Sequence, residues 1–423
     1  MGLGGMIGGG ILRTPGSVAD QVPLAWLALA LWGLAAVHAL LGANVVSEVM
    51  TSVPKSGGLF NVARRAFGDF GALIVGWTDW LSGIAAVAAL AIACAEFLAI
   101  IYPPLHAYLS YTGVAVAMSL FALNWLGVRE GSFAQMLTSA AKAILLLLLI
   151  GAIFLLRPEA STSSAAPAVT SSLTFFGFVV AYQFIVGAYA GWYSPAYFAE
   201  EDTSPSKNIP RALFTCIIAV GAIYLLMNAA LFYALPVERL RTAELPVSVA
   251  ISDIFGDASM RIVAAVAVVT VVGCINAQIM VCTRVFHGLG KEGFLPVVTS
   301  HVNKGGTPDV AMAVTAFFAV LLALSGTFET VFLIIGALGI FILAFTDLAF
   351  FKLRMAEPEL ARPYRAIGYP WLPMAVLVLD FGLLAAFLAA DPVSGGFMVA
   401  AILICVPVSL WTRRRHRTSP RPD

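Results

Sequence analysis

Apolar runs, each closed by a short polar or charged stretch, recur along almost the whole chain. Eleven are candidate spanning helices: 24–49, 71–101, 113–127, 133–156, 173–198, 212–235, 260–284, 309–326, 328–351, 371–390 and 395–412. The hydrocarbon core of a bilayer takes about 20 apolar residues per helix. A polar turn from Ser110 to Thr112 leaves the start of the third run soft. Ahead of the first run stands a stretch of a different kind. Six of the eleven residues from Gly2 to Leu12 are glycine. Counted as a helix, this stretch raises the total to about twelve, and the pattern predicts an all-α integral membrane protein. Its first helix looks truncated, because bilayer thickness calls for about ten more apolar residues ahead of the glycines. Either the true start lies upstream, or part of an inner gate is lacking.

Composition agrees. Of 423 residues, 60% are hydrophobic and 11% charged, against roughly 25% charged in soluble domains. No soluble core could hide that much apolar surface, so lipid is part of the solvent. The position of the basic residues sets orientation. With the N-terminus inside, outer loops hold only Arg13, Arg157, Arg239, Arg241 and Arg261, and Lys142 lies within a span. The other 18 of the 24 Lys and Arg fall on inner loops and the tail. That bias predicts cytoplasmic ends at a cell membrane. The tail, 413–423, carries Arg413, Arg414 and Arg415, which suit an anchor on anionic lipid. The outer stretch Pro158 to Ser172, rich in Ser, Thr and Ala, reads as a connector.

Several classes drop out. A net charge of +1 gives no ground for a nucleic-acid partner. All five cysteines sit in apolar runs, so no disulfide framework is implied. A signal peptide fits poorly, since no basic residue precedes the apolar stretch. Walker A, HExxH and GxSxG are absent, and the spans hold no cluster of nucleophile, base and metal ligands. No enzyme, cofactor or metal is expected.

Glycine inside a helix costs roughly 1 kcal/mol relative to alanine. A cluster of glycines marks a place where the helix need not continue. Within a membrane, unpaired main-chain groups are tolerated beside a cavity or ligand. Met6 to Gly10 therefore reads as an opened turn, although close packing through small residues explains such a stretch equally well. A second break shifts the balance. The sixth span contains Gly187-Ala-Tyr-Ala-Gly-Trp192 and then Pro195. It follows the first by five helices, and five is odd, so two five-helix units would lie in opposite orientation. Paired broken helices that meet at mid-membrane form the substrate site in that layout. Amides at the first break attract a carboxylate, and bare carbonyls attract an ammonium. A ligand with both groups close together is an α-amino acid.

These motifs resemble the amino acid–polyamine–organocation superfamily, most closely its L-type amino acid transporter branch and bacterial relatives. Gly5-Met-Ile-Gly-Gly-Gly-Ile11 is similar to the family's G-x-I-G-S-G-I. Glu48, Pro54-Lys-Ser-Gly-Gly58 and Arg65-Ala-Phe-Gly68 resemble the end of helix two and the loop after it. Glu200-Glu201 and Pro205-Ser-Lys-Asn-Ile-Pro210 resemble the exit of helix six. Gly290-Lys-Glu-Gly-Phe-Leu-Pro296 and Arg362-Pro-Tyr-Arg365 resemble later loops. The resemblance implies inverted five-helix repeats over 1–156 and 173–351, two additional helices over 371–412, and the tail. It implies that the amides of Gly9 and Gly10, beside Gly8, bind the substrate carboxylate. Carbonyls of Met6, Gly187 and Ala190 would bind the amine, with Gly191 and Trp192 beside them. Asn276 would be the polar residue of helix eight. Gly187 stands where relatives often place an aromatic gate; Trp192 and Tyr189 are candidates to take over that task, although core packing is the more expected job for either. Animal members of the branch bond a heavy chain through a cysteine between helices three and four. Tyr102 to Thr112 has none, so no disulfide-linked heavy chain is expected.

Charges within the spans complete the expectations. A mid-membrane lysine costs about 2.5–3.5 kcal/mol on insertion scales, so Lys142 calls for a purpose. It is a candidate for proton coupling or for a fixed cation between helices one and five; snorkelling is the alternative. Glu48 is expected to pair with the basic loop. Glu96 is expected to be wet, and His38 to be a satisfied packing residue. Glu200 and Glu201 are candidates for an inner gate with Arg284. Asp380 has no role beyond a contact between helices or subunits. The chain is thus expected to be a sodium-independent permease for neutral or apolar amino acids, working by alternating access. The apolar preference follows from the lack of any acidic residue clearly placed in the pocket. Proton symport, obligatory exchange and amine or polyamine carriage remain open, with a receptor or channel more remote.

Overall fold

In the computed structural model, the described residues are 6, 8–55, 58–125, 132–156, 173–195, 197, 204–243, 245–303 and 305–418. Among them the regular elements are helical. They run α1 (Gly9–Gln21), α2 (Ala25–Ser52), α3 (Leu59–Ile101), α4 (Leu109–Trp125), α5 (Ser132–Leu156), α6 (Phe175–Tyr189), α7 (Pro205–Ala234), α8 (Val237–Thr242), α9 (Pro246–Phe255), α10 (Asp257–Lys291), α11 (Asp309–Ser325), α12 (Phe328–Ala356), α13 (Trp371–Ala390) and α14 (Pro392–Thr418). Seven helices are long and apolar enough to cross a membrane, including α2, α3, α7, α10 and α12. Glu200, Glu201, the connector 158–172 and Gly5 lie outside the described residues.

Local chemistry explains the boundaries. Pro205 and Pro246 open α7 and α9 at their first turns, where a missing N–H costs nothing. Thr174 and Thr327 cap α6 and α12, accepting hydrogen bonds from the amides of Gly177 and Thr330. At about 1.5 Å per residue, the 43 residues of α3 would reach roughly twice the thickness of a bilayer core. Gly68, at φ 73° and ψ −165°, kinks it and turns its first two turns aside. An L side chain is disfavoured at such a positive φ.

The core lies where α3 packs against α10 and α12. Trp80 of α3 is fully buried and donates its indole N–H to Thr315 of α11 at 3.0 Å.

Ion pairs mark both ends of the bundle. At one end Glu48, 2% exposed, accepts from Arg354 at 2.6 and 2.5 Å and from the amide of Ala366 at 2.6 Å, with Arg362 at 3.3 Å. Asn44 pairs both ways with the backbone of Ile367, at 3.0 and 2.9 Å. The loop between α12 and α13 is thereby held against the end of α2. At the other end Glu96 is buried rather than wet. Its carboxylate takes Arg13 of α1 at 2.7 and 3.0 Å, and Arg13 also reaches Glu329 of α12 at 2.7 Å. The apolar run of helix three extends past Glu96, and the shortness of α1 brings a guanidinium to meet it.

Surface pairs differ in kind. Arg65 bonds Glu357 at 2.6 Å while both remain partly exposed. The guanidinium holds the Glu357 carboxyl below its usual range. A carboxyl depressed in the folded state contributes stability above its unfolded pKa and loses it as pH falls through the folded value. Solvent screening keeps such pairs to about 0–1 kcal/mol. Arg65→Gln is expected to change unfolding stability at neutral pH by less than about 1 kcal/mol, measured by denaturant titration in micelles.

Candidate functional site

Both expected breaks are present. Gly8 is extended, at φ −143° and ψ −161°, and α1 starts at Gly9 with no side-chain cap. The first amides of an α-helix have no partner within it, so those of Gly9 and Gly10 are left to the surroundings. On the other side α6 stops at Tyr189. Ala190 turns away at φ −52° and ψ 146°, and Gly191 takes φ +92°. A side chain would strain that position. Ser194 closes the turn, donating its amide to the Gly191 carbonyl at 3.0 Å.

The two breaks border one cavity of about 70 Å³. At about 10–15 Å³ per water this holds several waters. Met6, Gly8, Gly10, Gly187, Ala190 and Gly191 lie on its wall. The Tyr224 hydroxyl of α7 stands within donating distance of the Met6 carbonyl, 2.8 Å, and the Ala188 carbonyl, 3.2 Å. Its single proton ties the two broken segments together behind the wall.

Phe332 of α12 fills the place of a side chain at Gly187. A Cβ on Gly187 would meet its ring at 2.9 Å, and one on Gly10 would meet it at 3.2 Å. Trp192, expected beside the ligand, is absent from the cavity wall; a Cβ on Gly42 would touch its ring at 3.3 Å. Asn276 also turns elsewhere, accepting from Asn124 of α4 at 2.6 Å. From α10 the wall takes Cys274, Gln278 and Cys282 instead.

The far end of the cavity is polar and includes a carboxyl, which corrects the expectation that no acidic residue lies in the pocket. Asp79 of α3 accepts from Tyr197 at 2.5 Å, with Ser82, Ser194 and Gln278 also on the wall. Asp79 stood in the sequence as one polar residue in a long apolar run. Two turns of the third helix, Asp79 and Ser82-Gly83, facing the same way were the available signal.

Lys142 does not snorkel. Its side chain is 5% exposed, and Nζ lies 3.2 Å from Cys274 Sγ of α10. Gly273 leaves the room for it, since a Cβ there would come within 3.2 Å of the ammonium. Lys142 shares a narrow crevice with Gly8 and Leu12 of the first break. It therefore joins α5 to α10 beside the opening of α1.

Two helix breaks that open main-chain dipoles onto one hollow suit a membrane carrier of small solutes. Comparison with known proteins gives the family. Residues 1–408 match the amino acid permease family, and the chain belongs to it. It is 27% identical to the serine/threonine exchanger SteT of Bacillus subtilis (strain 168), covering 98% of this chain and 94% of that protein. It is 26% identical to the b(0,+)-type amino acid transporter 1 of Rattus norvegicus, covering 92% of this chain and 81% of the rat protein. It is 27% identical to the large neutral amino acids transporter small subunit 2 of Homo sapiens, covering 96% and 77%. The expected resemblance thus holds over nearly the whole chain, and the chain is a multi-pass transporter of amino acids.

Proposed function

We propose that the chain exchanges small neutral amino acids across the cell membrane, without sodium, by alternating access. One observation carries this reading: the breaks at Gly8 and Ala190 open onto the same cavity. The amides of Gly9 and Gly10 would hold the substrate carboxylate, for a helix N-terminus is a ready anion site. Carbonyls of Met6, Gly187 and Ala190 would hold the ammonium. The Tyr224 hydroxyl uses at most one lone pair of the Met6 carbonyl and leaves the second free.

The polar end suits a short side chain that donates a hydrogen bond to Asp79, such as a hydroxyl. The name of the Bacillus relative, a serine/threonine exchanger, agrees with that preference. Lys142 supports sodium independence. A fixed ammonium beside the first break repels a second cation, at about 4 kcal/mol for 4 Å and an effective dielectric of 20. The architecture assumed is two inverted five-helix units and two further helices, with cytoplasmic ends. The matched breaks and the basic loops support it. No disulfide-linked heavy chain is invoked, since Tyr102 to Thr112 offers no cysteine.

Counter-flow in proteoliposomes tests the reading. Labelled L-serine is expected to enter only vesicles preloaded with L-serine or L-threonine, equally in sodium and choline buffers. Uptake into empty vesicles driven by a pH gradient would replace exchange with proton symport. Uptake competed by polyamines but not by serine would overturn the substrate class. Lys142→Ala is expected to abolish exchange while leaving the protein monodisperse.

A further inference from the structure

Two glycines of the site lack a side chain for the same reason. Gly187 lies within α6, and Gly10 in the first turn of α1. Neither takes a positive φ, and helical backbone accepts any L side chain. What forbids one is space. A Cβ on Gly187 would stand 2.9 Å from Cε1 of Phe332 and 3.2 Å from its Cδ1, and a Cβ on Gly10 would stand 3.2 Å from its Cζ. One aromatic ring, carried by α12, thus fills the side-chain space of both broken segments.

That ring is backed by other groups. It stacks on Phe328 of the same helix, with centroids 4.8 Å apart and planes at 22°, and lies 6.4 Å from Phe184 of α6. The Arg13 guanidinium lies 4.6 Å above the Phe328 ring and is itself held by Glu96 and Glu329. Phe328 is fully buried. A close-packed surround of this kind keeps a side chain in its rotamer. Phe332 also borders the amino acid cavity. It is therefore a fixed wall of that cavity.

We propose that Phe332 sets the upper size limit on the substrate side chain, from the space that a residue at position 187 would otherwise occupy. The inference rests on the amino acid site described above. A substrate held by the amides of Gly9 and Gly10 and the carbonyls of Gly187 and Ala190 has its Cα between the breaks, next to the ring. Its side chain has room toward Asp79 and none toward α12. Serine and threonine fit that outline. Leucine and the aromatic amino acids need the volume the ring holds. A single methylene in a pocket already changes discrimination by about 10–200-fold. The space left by removing the ring is bounded by Phe184 and Phe328, and an apolar cavity of that kind takes apolar ligands.

Isothermal titration of the monodisperse full chain with L-serine and L-leucine tests the limit. Wild type is expected to bind leucine at least about 100-fold more weakly than serine. Phe332→Ala is expected to narrow that gap by about 10–200-fold, chiefly through tighter leucine binding. A ring with only a structural role would weaken both ligands alike. Phe332→Leu leaves a smaller gap and is expected to shift the preference about 10-fold in the same direction, which serves if the alanine protein does not fold. Phe332→Ala combined with Gly187→Phe returns a ring to the same space from α6. The only other atom near that Cβ is the Phe332 carbonyl oxygen, at an ordinary 3.4 Å. The double variant is expected to exclude leucine again. Leucine bound within 10-fold of serine by wild type would overturn the proposal. So would an unchanged preference in the alanine and leucine variants, or a double variant that still takes leucine. Absence of serine binding in wild type would fail the amino acid site instead. The limit is then judged on leucine alone, which must bind the Phe332→Ala protein and not the double variant.

Discussion

Glu48→Gln is expected to destabilise the protein by about 3–5 kcal/mol, the cost of leaving buried charge unpaired. Glu48 is 2% exposed and accepts from Arg354 and the Ala366 amide, with Arg362 close by. Glutamine keeps the shape and removes the charge. Its amide group then points two hydrogens at neighbours that are themselves donors. Arg362 is partly held by the carbonyls of Leu353, Glu357, Pro358 and Leu360, so the loop keeps its local fold and detaches from α2. Reversible unfolding in mixed micelles measures the change. A loss under about 1 kcal/mol, matching Arg65→Gln, would mean that water reaches this pair.

Gly10→Val is expected to cost roughly 100-fold in serine affinity, equivalent to about 2.8 kcal/mol. A Cβ there already stands 3.2 Å from the Phe332 ring and 3.4 Å from the Ala188 backbone. The backbone cannot give way, so the two methyl groups turn into the cavity and cover the amides. Valine forms helix better than glycine, so the segment itself is not weakened. Isothermal titration on monodisperse protein separates the two effects. Retained affinity would remove the first break from the substrate site.

Long apolar runs made most of the long helices legible, but not all of their ends: α3 begins at Leu59 where 71 was expected, and α6 ends at Tyr189 where 198 was expected. The run 371–390 became α13 over the same residues, and 309–326 became α11 over Asp309–Ser325. Two helices were missed. α8 and α9 cover 237–255, where short segments carry one apolar face and no long run. The glycine breaks were legible because glycine and proline act locally. What lay between distant residues was not. Phe332 beside Gly187 is one phenylalanine among 28. His38 was expected to be a satisfied packing residue, and its partners stand 144 and 342 positions away. Asn276 and Trp192 were placed by resemblance, and helix rotation turns Asn276 toward Asn124.

The clasp of Asn44 and Glu48 on the 357–370 loop turns α2 into a lever. That end is anchored by neutral and charged bonds. His38 lies six residues away, about 9 Å along the axis. A tilt of about 10° at the anchor displaces the imidazole by about 1.6 Å over that arm, enough to sever its 2.6 Å bond to Asp380. The fulcrum stays put, and the small swing at His38 grows toward the far tip of the rod at Ala25, next to the end of α1 at Gln21.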